Sequence, residues 1–204
     1  MGDESLVDAV RDYYSGRLAE FGPTAKGVDW NSAESQEQRF RELLPGDFMS
    51  SYRSLLDYGC GYGALLSYLR RGGWLGKYVG YDVAPDMIAG ASSMHGDDGE
   101  FTVDLPAESY DCTLASGLFN VRLEFADDRW QRYINAVLDE MWGCTGSMMV
   151  FNMLTTHSDA DRRRASLYYA DPGRYLELCL HRYSRHVRLH HGYGLYEFTI
   201  QVEK

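Results

Sequence analysis

The sequence lacks paired cysteines. Its four, Cys60, Cys112, Cys144 and Cys179, lie far apart and form no C-x-x-C pair. That spacing speaks against a disulfide framework or a zinc-finger set and predicts reduced intracellular thiols. No apolar run approaches the ~20 residues that cross a bilayer. No signal-peptide pattern opens the chain. A soluble, cytoplasmic protein with no membrane partner is therefore expected. Positive charge is scarce too: 20 Lys and Arg face 30 Asp and Glu, a net charge of −10. Nucleic-acid binding asks for a basic footprint, so that partner is not expected either. There are no internal repeats and no low-complexity linker. What remains is 204 residues with 45% hydrophobic content, enough for a normal core and suited to one α/β domain over 1–204.

The most informative stretch runs from Leu55 to Leu66. Ser54 to Asp57 is apolar enough for a buried parallel strand. Gly59, Gly61 and Gly63 then alternate with bulkier residues, and glycine lets a ligand approach the backbone closely. From Ala64 the pattern turns helical through Leu65, Leu66 and Leu69. The turn offers free N–H groups at a helix start, beside an acid at a strand end. The dinucleotide fingerprint G-x-G-x-x-G/A fits loosely through Gly59, Gly61 and Ala64. A second apolar run, Tyr78 to Tyr81, ends in Asp82. The offset from Asp57 is 82 − 57 = 25 residues, close to the ~20 that separate a glycine turn from a ribose-binding acid. Asp82 also reads as a start signal for a helix around Pro85 to Ala91.

The remaining elements follow in order. Residues 5–21 predict an amphipathic helix with Leu6, Val10, Tyr13, Tyr14, Leu18 and Phe21 on one stripe, closed by Gly22-Pro23. An irregular stretch holding Trp30 leads to a second helix, with Asn31 as N-cap and Glu34 three residues on. Glu100 to Val103 predicts a third strand and Cys112 to Ser116 a fourth. Ser116, Phe119 and Asn120 leave that strand at the edge where open α/β sheets bind ligands. A helix from Asp127 or Asp128 carries Trp130, Ile134, Val137, Leu138 and Met141. Ser147 to Asn152 predicts the fifth strand. Asp171-Pro172 starts another helix. Arg185–His190 and Leu195–Val202 flank a turn and read as a hairpin.

The full motif Asp57-x-Gly59-x-Gly61-x-Gly63 resembles the first motif of class I S-adenosylmethionine (SAM) methyltransferases. The likeness is specific in sequence only there and at Asp82, and architectural from about Ser54 onward. It implies a Rossmann-like α/β fold: a mostly parallel seven-stranded sheet with a C-terminal antiparallel hairpin and helices on both faces. It implies SAM as cofactor and S-adenosylhomocysteine (SAH) as product. Asp57 would sit near the methionine ammonium, where a carboxylate suits a zwitterion. Gly59, Cys60, Gly61 and Gly63 would form the cofactor turn. Asp82, with Val83 beside it, would take the ribose hydroxyls. Asp104 and Leu105 would hold the adenine, and Ser116 would face the cofactor. Residues 1–50 would fold over the cofactor as a helical lid on the core at 51–204. Trp30, Gln36 and Arg39 in that lid are candidate contacts, Trp30 to cofactor, Gln36 and Arg39 to substrate.

The acceptor is expected to be a small molecule methylated in line without a metal, because Ser116 and Asn152 stand where metal-dependent relatives place acids. Phe119, Asn120 and Tyr168 are further substrate candidates, and Tyr14 and Tyr169 could shape the same pocket. His157, beyond the fifth strand, is the candidate base, with His191 and His190 as weaker alternatives. Arg162, Arg163, Arg164, Arg174, Arg182, Arg185 and Arg188 suggest an anionic acceptor, or else a solvated basic face. RNA or protein as acceptor, and a non-catalytic SAM-binding role, remain alternatives. Either a monomer or a homodimer is compatible with the sequence.

Overall fold

A computed structural model describes residues 4–30 and 32–204. One sheet of seven strands forms its centre: β1 Ser54–Tyr58, β2 Lys77–Tyr81, β3 Glu100–Thr102, β4 Tyr110–Ala115, β5 Thr145–Leu154, β6 His186–His190 and β7 Glu197–Glu203. Their order is β3-β2-β1-β4-β5-β7-β6. The first five are parallel, and β7 runs antiparallel to both β5 and β6. This is the α/β architecture expected from the sequence, with the terminal hairpin at one edge.

Seven α-helices accompany it: α1 Glu4–Phe21, α2 Ala33–Leu43, α3 Phe48–Ser51, α4 Ala64–Arg71, α5 Pro85–His95, α6 Asp127–Gly143 and α7 Pro172–Arg182. They cover both sheet faces because successive strand residues point to opposite sides. On β5, Met148 and Val150 pack with Phe40 and Leu43 of α2 and Leu65, Leu66 and Leu69 of α4. Met149, Phe151 and Met153 join Trp130, Ile134 and Leu138 of α6 and Leu6 and Val10 of α1 on the other face. Burying a side chain such as Leu138 contributes roughly 1.5–3 kcal/mol.

Several boundaries differ from the sequence reading. Asn31 lies outside the described residues; α2 is capped by Ser32, whose hydroxyl accepts from Ser35 N. The short helix α3 had no periodic signal to announce it, being a single turn. The helix expected around Pro85 to Ala91 continues to His95. Asp171 caps α7 as its sequence suggested, accepting from Arg174 N.

The order places β1 between β2 and β4, so the chain winds away from β1 in both directions. The crevice beyond the C-terminal ends of β1 and β4 is a topological switch point. Asp57 and Ser116 stand at those two strand ends, and Asp82 follows the end of the neighbouring β2.

Candidate active site

The glycine turn is built by backbone bonds that cross from β1 to β2. Gly59 N and Cys60 N both donate to Tyr81 O, at 2.7 and 3.0 Å. Gly61 N donates to Asp82 Oδ2 at 3.0 Å, and Ala84 N to Asp82 Oδ1 at 2.9 Å. Asp82 thus holds the turn and the entry to α5 at once, and each oxygen keeps a lone pair for a ligand. Gly61 has φ +53°, and a Cβ there would lie 2.9 Å from the Val28 side chain. Only glycine fits that left-handed, crowded position without strain.

The turn floors a cavity of about 190 Å³. Asp57, Gly59, Cys60, Gly61, Asp82, Val83, Ser116, Trp30 and Gln36, all candidates from the sequence, line it. Val7, Val10, Arg11 and Tyr14 of α1 line it too. Tyr62 donates its hydroxyl to Gln36 Oε1 at 3.1 Å, tying α2 to the turn.

Two acids, Asp57 buried and Asp82 half-buried, give the cavity its electrostatic character. Burial pushes the Asp57 carboxyl up to about 7; the Tyr78 hydroxyl, donating to Oδ2 at 2.5 Å, pulls it back in part, and the charge of Asp82 pushes it further. Asp82 is also raised by burial, against the two backbone N–H groups it accepts. No salt bridge reaches either acid among the described residues. A positive ligand group beside Asp57 would restore its ionised form. Ser116 Oγ is buried with no hydrogen-bond partner. Uncompensated acids, an orphaned hydroxyl and a glycine cradle suit a cationic, hydroxyl-bearing ligand.

A second cavity, of about 100 Å³, adjoins the first. Tyr14, Val28, Trp30 and Gly117 line both. Arg39, Asn120, Arg164 and Glu197 line the second alone. Here sits a network that the sequence did not reveal. Glu197, fully buried on β7, accepts from Arg39 of α2, with Nε at 2.7 Å, and from Asn152 Nδ2 at 2.6 Å. Asn152 Oδ1 in turn accepts from Gly117 N at 2.7 Å. The Arg39 guanidinium lies over the Trp30 ring at 4.1 Å, a cation–π contact. A lone acid among Phe198, Ile200 and Val202 was the available signal for Glu197. Its partner stands 158 residues away.

Other candidates stand elsewhere. Gly63 caps α4 and packs against His95 and Phe101, away from the cavity lining. Asp104 is exposed, and neither it nor Leu105 reaches the cavity. Phe119 is core: it meets Phe151 edge-on, and its carbonyl accepts from Trp130 Nε1. Tyr168 is buried beside Tyr175. His157 and His191 pair with each other, ring centroids 5.7 Å apart, and His191 Nε2 lies 3.0 Å from Thr155 Oγ1. They line neither cavity. His190 faces Glu42.

The basic segment does not form one patch. Arg182 pairs with Asp139 and Arg188 with Glu203. Arg163 donates to the Ser158 and Thr156 carbonyls. Arg185 donates to His186. Arg164 lines the second cavity, and the other six line neither of the two.

Comparison with known proteins agrees with this geometry. The sequence model of the family described as "Methyltransferase domain" matches residues 30–189. A Mycobacterium tuberculosis protein named as a methyltransferase, Rv1506c, is 44% identical over 156 residues, covering 74% of this chain and 93% of that protein. Among solved structures, DhpI bound to SAH superposes with a TM-score of 0.68 at 18% identity, over 98% of this chain and 97% of that one. Magnesium protoporphyrin IX methyltransferase from Synechocystis PCC 6803, with bound SAH, gives 0.60 at 13% identity, over 84% and 82%. At those identities the two structures are similar in fold.

Proposed function

This chain belongs to the methyltransferase-domain family, and we propose that it transfers a methyl group from SAM to a small, anionic acceptor by metal-independent in-line displacement. The observation that carries the reading is the pair of acids, Asp57 buried and Asp82 half-buried, bracketing a glycine turn at the switch point of the sheet. Asp57, held near neutral for want of a cation, would take the methionine ammonium. Asp82, already anchored by two backbone donors, would accept from the ribose hydroxyls. Gly59, Cys60 and Gly61 would let the cofactor lie against the backbone, with Val83 and Ser116 at its sides. Two solved structures of similar fold were determined with SAH bound, which supports a sulfur nucleoside as the ligand.

Bound SAM supplies a methyl already activated on sulfonium, so the protein's task is alignment. Holding the two reactants together can supply ~7–11 kcal/mol of the barrier. The first 50 residues would act as a lid on one domain spanning the chain: α1 and Trp30 line the cofactor cavity from above the turn, and Arg39 ties α2 to Glu197. Asn152, where a metal-dependent relative would need an acid, commits its side-chain amide to Gly117 and Glu197.

The test is calorimetric titration with SAM, SAH and NAD. Saturable binding of the two sulfur nucleosides, weakened by Asp82→Ala, and no NAD binding are expected. Folded protein that binds neither would overturn the reading.

A further inference from the structure

We propose that the second cavity is the acceptor site and that it takes an oxyanion already ionised at neutral pH, held by the Arg164 guanidinium and the Asn120 side-chain amide. This deepens the methyltransferase reading and rests on it.

The first argument is place. The two cavities share Tyr14, Val28, Trp30 and Gly117. A methyl passing from a ligand in one to a ligand in the other must cross between those residues.

The second is charge. Of the charged groups lining the second cavity, Glu197 is neutralised by Arg39 and Asp29 by Arg17 at 3.2 Å. Arg164 has no ion pair among the described residues. Asn120 is buried, its Oδ1 accepts from Leu154 N at 3.0 Å, and among the described residues its Nδ2 has no acceptor. The cavity therefore presents one uncompensated cation and one oriented amide donor, the set that recognises a carboxylate or phosphate oxygen.

The third is the lack of an available base among the described residues that line the second cavity. No histidine lines either cavity among the described residues. Glu197 has both oxygens engaged, and Asp29 is ion-paired. The Tyr14 phenol is held above its ordinary pKa, by burial first and the charge of Asp29 second, so it keeps its proton. An alcohol acceptor would need a proton taken from it. An oxyanion does not. Its lone pair forms the new O–CH3 bond while the S–CH3 bond breaks and that pair leaves on sulfur. The anion and the sulfonium become a methyl ester and a thioether, and no proton moves.

The test uses the full chain with 15N label, saturated with SAH, and follows the Trp30 indole N–H, assigned with Trp30→Phe. Acetate and inorganic phosphate are titrated separately at constant ionic strength. A saturable shift is expected with at least one of them, and whichever binds tighter names the class. Arg164→Gln should weaken it by roughly tenfold or more, the loss of a charge-assisted bond. Arg162→Gln, outside both cavities, should leave it unchanged. Linear drift with both anions, or equal loss in the two variants, would overturn the proposal. Failure of the chain to bind SAH at all would instead overturn the methyltransferase reading beneath it. With methyl-labelled SAM and a protein-free bacterial metabolite extract, the label should enter an ester. Alkali then releases it as methanol from a carboxylate ester, and leaves it on an anionic product from a phosphate. Label in a neutral ether or an amine would also overturn the proposal.

Discussion

Tyr78, at the second position of β2, donates its hydroxyl to Asp57 Oδ2 at 2.5 Å, across the β1–β2 register that sets Asp57 opposite Gly80. The bond joins two fully enclosed side chains and partly offsets the cost of burying the acid. It leaves Asp57 with a carboxyl pushed up to about 7.

The pH dependence of stability follows from that shift. The unfolded acid loses its proton near its ordinary pKa of ~3.9. The folded one keeps it to about 7. Between those values the folded state binds more protons, so this group's contribution to stability falls as pH rises. Asp57→Asn is expected to unfold at a higher temperature than the parent at pH 8, by about 1–3 kcal/mol in free energy. The difference should vanish near pH 4. Thermal melts at both pH values, without ligand, check it.

With SAM bound as proposed, the same acid would couple its binding to protons. A cationic group beside Asp57 lowers its pKa, so binding of SAM below pH 7 should release a proton from the protein. Calorimetry at pH 6 in two buffers of different ionisation enthalpy reads that release, and Asp57→Asn should abolish it. Equal release in parent and variant would assign the proton to another group.

The Arg39–Glu197 pair is enclosed, so removing one partner strands a charge. Glu197→Ala is expected to cost about 3–5 kcal/mol in urea denaturation, and Arg39→Met combined with Glu197→Leu much less than the sum of the singles. Additive losses would show that the pair is not energetically coupled.

Gly117 has φ +72°, and a Cβ there would stand 2.2 Å from the Trp30 ring. Gly117→Ala is expected to displace Trp30 and to cost about 1–2 kcal/mol from the backbone conformation alone. Trp30→Ala in the same background should recover the steric part. Melting temperatures of the two single variants and the double variant measure both terms.

All four thiols are buried. Burial also raises the pKa of Cys60, Cys112, Cys144 and Cys179. A thiol reagent at pH 8 should leave them unmodified in native protein and titrate four after denaturation. Rapid native labelling of Cys60 would mean that the glycine turn opens to solvent.

The sequence by itself determined the glycine-turn edge of the molecule. Asp57, the glycines and Asp82 are read within short runs, because a strand end, a left-handed turn and a helix start are local events fixed by backbone sterics and a few neighbouring residues. The alternation along β5 and the stripe on α6 follow from the same local rules. The tertiary structure decided what lies across from that edge. Nothing near Glu197 in the chain says that Arg39 will neutralise it. Nothing near Arg164 says that it, and none of the other six arginines, will line the second cavity. His157 reads as a base by its place after β5, yet its ring turns to His191. Phe119 follows the ligand edge, yet its ring turns into the core. Partnering in a buried site depends on which distant groups are desolvated together, and that is settled only when α1, α2 and the C-terminal hairpin close on the sheet.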